Sequence, residues 1–182
     1  DQVIYMRAFD ISEHYRAAWQ GTGFKAQLVA KNKAAALKYH EHLTEVGLVT
    51  SEVLISPPDE REGYEETDGE PTDDVVRFWQ KMMKRYGNEA DYNKQIISRF
   101  KNGPEPEILI VVSKLLIGFD APRNIVIYLC KRLEEHNLLQ AIARVNRVHE
   151  DKDYGFVVDY EGLLGELDRA LTMYSAFEGF DE

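Results

Sequence analysis

The chain has 182 residues, 44% hydrophobic and 30% charged, with a net charge of -10, which is enough for one globular domain with a real core. No apolar run approaches the roughly 20 residues needed to span a bilayer, and the opening DQVIYMRAFD carries no secretory leader. The single cysteine, Cys130, excludes an internal disulfide and fits a reducing cytoplasm.

The elements follow in chain order. Asp10 to Trp19 reads as the body of a first helix, with Asp10 and Glu13 placed as a capping box. AQLVA is a short buried strand. NKAAALKYHEHLTEVG is a helix, with Asn32 as N-cap and Gly47 as its stop. VTSEVLI is a second strand. Residues 56–74 then break the pattern with nine acidic residues, one arginine, three prolines and two glycines. This acidic loop or insertion is expected to be mobile. It supplies most of the net charge, so the rest of the chain is close to neutral and global charge does not exclude a nucleic-acid partner.

DDVVRFWQKMMKRYG restarts helical order, with Val75, Phe78, Trp79, Met82 and Tyr86 on one core-facing stripe. DYNKQIISRFKNG is a further helix. EILIVV and NIVIYLC are continuous apolar strands, as expected where both faces of a sheet are covered. LLQAIARVNRVHE is an amphipathic helix, GFVVDY a last strand, and YEGLLGELDRALTMY a C-terminal helix. Strands alternating with helices predict an α/β domain with a mainly parallel sheet flanked by helices. The chain also starts without Met, so a piece of a longer polypeptide is expected.

Several common sites are missing from the sequence. There is no G-x-x-x-x-G-K-[ST] phosphate loop and no G-x-G-x-x-G. His40 and His42 are two apart and diverge on a helix, and no metal site is indicated. Glu150 to Lys152, EDK, reads as a charged turn. Two features remain. The loop GFDAP follows a buried strand, where ligands of open parallel sheets bind, and Gly118 would let backbone approach a ligand closely. In the helix, Arg144 and Arg147 fall within about 40° on either side of Gln140, while Leu138, Ile142 and Val145 take the opposite side. The plain reading of that polar face is a solvated surface helix.

Together these stretches resemble the second RecA-like domain of superfamily 2 helicases, specifically the motor (R) subunit of type I restriction enzymes. LLIGFDAP is similar to that family's motif V. LLQAIARVNR is similar to its motif VI, with Ala143 in place of the usual glycine. KAQLVAKNKAAALKYHEHL resembles the region around motif IV, and YGFVVDYEGLLGELDRAL resembles the exit toward a following helical region. The resemblance runs from about Phe9 to Tyr174. It implies a RecA-like domain over 1–160 and a C-terminal helix over 161–182 leading onward.

The resemblance implies roles as well as a fold. Arg147 matches the arginine finger and Arg144 the other motif VI arginine. Gln140, Gly118 and Asp120 would serve the nucleotide site. Ser113, Lys114 and Lys31 would contact DNA, although Ile117 stands where the family usually has Thr. ATP and Mg²⁺ would be cofactors of the full-length protein, with none tightly bound to this fragment. Partners would be double-stranded DNA, a first RecA-like domain and a nuclease domain of the same polypeptide, and modification and specificity subunits, with no membrane. The full-length enzyme would be an ATP-dependent site-specific deoxyribonuclease that translocates on DNA, and the fragment alone inactive. Two alternatives stand beside this reading: another superfamily 2 DNA or RNA helicase, and a non-catalytic α/β interaction domain.

Overall fold

The computed structural model describes residues 1–58, 72–112, 120–133, 135–147 and 149–165. Five strands form one parallel sheet: β1 (Lys25–Ala30), β2 (Ser51–Leu54), β3 (Ile108–Val111), β4 (Asn124–Cys130) and β5 (Phe156–Asp159). Their order is β2-β3-β1-β4-β5, and each neighbouring pair is parallel. The helices are α1 (Gln2–Ala18), α2 (Lys33–Val46), α3 (Asp73–Tyr86), α4 (Glu89–Asn102) and α5 (Glu135–Val145). This is the α/β architecture, a parallel sheet flanked by helices, that the alternation of apolar strands and helices predicts.

The twofold alternation of side chains along each strand divides the core in two. Ala26, Leu28, Ile108, Ile110, Val126 and Tyr128 face the layer built with α1 and α2. Val29, Leu109, Val111, Ile127 and Leu129 face the layer built from α4, α5 and part of α3. Strands buried on both faces are mostly apolar, and β1, β3 and β4 are buried at every position, with Lys25, Gln27 and Asn124 the polar residues among them. The edge strand β5 is only half-buried, and Phe156 is exposed.

Local signals set most helix ends. The Asn32 side chain accepts from the Ala35 amide at 2.9 Å, and Gly47 closes α2 at φ 69°. That left-handed geometry is open to glycine at little cost. Asn88 caps α4 in the same way, accepting from the Asp91 amide. In α3, Val75 and Met82 are buried and Phe78, Trp79 and Tyr86 pack partly buried against the core, as the helical spacing predicts.

The first helix corrects the sequence reading. It starts at Gln2, not Asp10. The buried stripe Ala8, Ile11 and Tyr15 extends back to the half-buried Ile4, so packing on α2 sustains helix well before Asp10. Asp10 therefore sits mid-helix and accepts from the Tyr160 hydroxyl, while Glu13 pairs with Arg16 at 3.4 Å. Arg7 holds the chain leaving β5, donating to Glu161 at 2.7 Å and to the Tyr160 carbonyl at 3.0 Å.

Three expectations fall wholly or largely outside the described residues. They are the mobility of the acidic segment over 59–71, the placement of Ser113, Lys114 and Gly118, and most of the C-terminal helix. No described helix is long and apolar enough to cross a membrane.

Candidate functional site

The α5 helix packs its apolar side on the sheet. Leu138, Ala141 and Val145 are buried and Ile142 is half-buried. That leaves Gln140 and Arg144 on the outer side, each half-buried. The helix ends at Val145, so Arg147 is not on it. This corrects the sequence reading, in which Arg147 belongs to the helical face. Gly155 explains the stop. A Cβ there would lie 2.1 Å from the Val145 carbonyl oxygen, so the chain entering β5 crosses directly over the last turn. The Gly155 amide also donates to the Asn146 side chain at 3.3 Å.

Past the helix end, Arg147 turns toward the segment before β4. Its Nη1 meets Asp120 Oδ1 at 2.5 Å, with 47% and 55% of the two side chains exposed. Arg144 and Arg147 share a small pocket with Gln27, Ala121 and Asn124. Burial lowers the proton affinity of the Arg144 guanidinium, the positive charge of Arg147 adds to this, and Asp120 opposes it. Two cations and one carboxylate thus meet at one edge of the domain.

The floor of that pocket is polar. Asn124 Nδ2 donates to Gln27 Oε1 at 3.0 Å, and both residues are 2% exposed. A buried amide pair on adjacent strands is costly unless its groups are satisfied, and among the described residues Asn124 Oδ1 has no hydrogen-bond partner. Both residues face the α5 side of the sheet, beneath the arginines. The sequence reading passed over them. Its one signal was a glutamine in the middle of the otherwise apolar AQLVA.

The location also differs from expectation. Asn124 opens β4, so the cluster lies at the amino end of that strand rather than outside the carboxyl ends of the sheet. The reason is directional. The helix α5 follows β4 and runs back antiparallel to it, bringing its own carboxyl end to the start of the strand. Lys31 lies just past the opposite end of β1 and is exposed. The structure therefore joins Arg144, Arg147 and Asp120 and leaves Lys31 apart.

The EDK turn is more than a solvated charge run. Lys152 is 5% exposed, and its Nζ donates to the carbonyls of Pro122 at 3.0 Å and Asn124 at 2.8 Å. A larger cavity of about 520 Å³ lies near Tyr15, Lys25, Glu107 and Arg123. Three of its charged groups are engaged internally: Lys25 with two backbone carbonyls, Glu107 with Thr50 and Gln20, and Arg123 with Gly23. Among the described residues no group of three or more His, Cys, Asp or Glu side chains could hold a metal ion.

Comparison with known proteins adds a family. The model described as "Type I restriction enzyme subunit R domain 3" matches residues 22–162. The chain is 37% identical over 160 residues to a Methanocaldococcus jannaschii protein described as the type I restriction enzyme MjaVIIP endonuclease subunit, covering 84% of this chain and 14% of that protein. It is 44% identical over 96 residues to the Haemophilus influenzae type I restriction enzyme HindI endonuclease subunit, covering 48% of this chain and 9% of that protein. The chain thus spans a small part of the length of these relatives. Among solved structures, it resembles a fragment described as an HsdR subunit of a type I restriction enzyme from Vibrio vulnificus, at 15% identity and a TM-score of 0.48, covering 89% of this chain and 29% of that one.

Proposed function

This chain belongs to the type I restriction enzyme subunit R domain 3 family, and we propose that it is the second RecA-like domain of an ATP-dependent DNA translocase and endonuclease subunit. On this reading residues 1–160 form the domain and 161–182 begin a following helical region. A first RecA-like domain elsewhere in the polypeptide carries the phosphate loop and the Mg²⁺-binding carboxylates. ATP supplies the phosphoryl group whose transfer to water drives movement on double-stranded DNA.

The observation that carries the reading is the convergence of Arg144 and Arg147 at one open edge of the domain, with Arg147 gripping an anionic oxygen at 2.5 Å. Phosphoryl transfer spreads negative charge over the γ-phosphate oxygens, and a guanidinium offered from a second domain neutralises it. Arg147 meets the Asp120 carboxylate through Nη1 of the same guanidinium that would take such an oxygen. Phosphate and Asp120 would therefore compete for Arg147, and domain closure would exchange one for the other. Asp120 is better placed to orient Arg147 than to bind a phosphate, because like charges repel. Arg144, partly desolvated behind it, keeps the local potential positive. Gln140 lies one helical turn before Arg144, on the same outer side of α5.

The test is Arg147→Ala in the full-length subunit. DNA-stimulated ATP hydrolysis should fall by roughly 10³-fold or more if Arg147 acts as a finger, with the melting temperature unchanged. Arg147→Lys should rescue poorly, because an ammonium lacks the planar fork. Near-normal turnover would return Arg147 to a surface arginine and favour a non-catalytic interaction domain.

A further inference from the structure

Arg147 lies in a stretch with no helix or strand of its own, yet its surroundings are pinned on both sides. Before it, Asn146 accepts from the Gly155 amide. After it, the Lys152 amide donates to the His149 carbonyl at 3.0 Å, and these two residues form an isolated antiparallel bridge. Lys152 then reaches out of this turn. Its ammonium bonds the carbonyls of Pro122 and Asn124, which follow closely after Asp120. One side chain therefore joins the segment that carries Arg147 to the segment that carries Asp120.

The chemistry is unusual for mere filling. A buried ammonium loses its hydration, and two neutral carbonyls return less than a carboxylate would. An apolar side chain would cover the same space without that cost. A lysine does what an apolar residue cannot: it fixes two backbone carbonyls at hydrogen-bond distance from one point. Because Asn124 opens β4, that point is referenced to the rigid sheet. The turn holding Lys152 is tied in this way to the frame of the domain.

We propose that Lys152 is a positioning residue for Arg147. Its ammonium fixes the segment after α5 against the start of β4, so that the guanidinium is presented at a set distance and angle to whatever anion occupies the domain edge. The proposal rests on the reading of Arg147 as the arginine donated to the nucleotide.

The experiment uses the full-length subunit and four variants: Lys152→Met, Lys152→Arg, Arg147→Ala, and the double variant Arg147→Ala with Lys152→Met. DNA-stimulated ATPase is measured as kcat and as KM for ATP, with melting temperature on the same samples. Lys152→Met should lower kcat by about 10- to 100-fold, the loss expected when a reacting group is displaced by about an ångström, with KM little changed. The double variant should be no slower than Arg147→Ala alone, because a residue that acts through Arg147 has nothing to position once it is gone. Unchanged kcat in a folded Lys152→Met protein, or a further full loss on top of Arg147→Ala, would overturn the proposal. If Lys152→Met does not fold, Lys152→Arg decides. A guanidinium keeps donors for both carbonyls but is longer and planar, so kcat should fall several-fold at constant KM, and a parental kcat would overturn the proposal. Normal turnover in Arg147→Ala would mark failure of the underlying reading. A slow Arg147→Ala beside a normal Lys152 series would mark failure of the positioning role alone.

Discussion

Arg147 and Asp120 meet at 2.5 Å at the start of β4, and about half of each side chain faces water. An ion pair so exposed is screened and entropically costly to hold. Its value to stability is therefore small, whatever its value to function. Asp120→Asn in this chain should cost no more than about 1 kcal/mol of unfolding free energy, less still at high salt. Urea melts at two ionic strengths check this. A loss above about 2 kcal/mol would mean that the pair holds the segments together and that Lys152 does not.

Gly155→Ala should be more damaging than any change at Asp120. The new Cβ would fall 2.1 Å from the Val145 carbonyl oxygen and 2.6 Å from its Cβ. Backbone cannot yield as a flexible side chain would, so α5 and β5 must separate. We expect a loss of about 1–3 kcal/mol and a shift of amide resonances at Asn146 and Arg147. A parental melting temperature would show that the crossing is looser than described.

Cys130 should be inert while the chain is folded. The residue is 4% exposed, and burial pushes its thiol up to about 11, against a smaller downward pull from the Tyr39 hydrogen bond and the charge of Arg7. At about pH 8 roughly one thiol in a thousand would be ionised. A disulfide reagent should label Cys130 only in denaturant. Labelling of the native protein at the rate of a free thiol would refute this.

Lys25 should give stability a pH dependence of its own. Burial, with help from Arg123, lowers its ammonium from 10.5 to about 8, while Glu107 and Glu105 oppose the shift. The folded state then holds fewer protons than the unfolded state between about pH 8 and 10.5, so this contribution to stability rises with pH across that window. Below about pH 8 the full cost of burying the charge is present. The difference in unfolding free energy between the parent and Lys25→Met, measured at about pH 7 and about pH 10, should move in favour of the parent at the higher value. A flat difference would show that Lys25 titrates normally.

Much of this protein is local in origin and so can be read from the chain. Apolar runs such as EILIVV and NIVIYLC become strands because a doubly covered sheet favours apolar side chains on both faces. Asn32 and Gly47 bracket α2 because their own backbones and side chains satisfy the helix ends. The apolar side of α5 follows from spacing alone, and its motif carries the family resemblance that the comparisons bear out. The rest is decided by contacts between distant segments. The helix α1 begins at Gln2 because α2 rewards a longer buried stripe, which no capping pattern at Asp10 can announce. Arg147 leaves its helix because Gly155 brings another strand across the last turn. The amide pair Gln27 and Asn124, the pairing of Arg147 with Asp120, and the burial of Lys152 depend on strand order and on the return direction of α5. A one-dimensional pattern can report which residues are apolar and how they are spaced, but it does not report which polar groups tertiary packing closes off from water and forces to find partners.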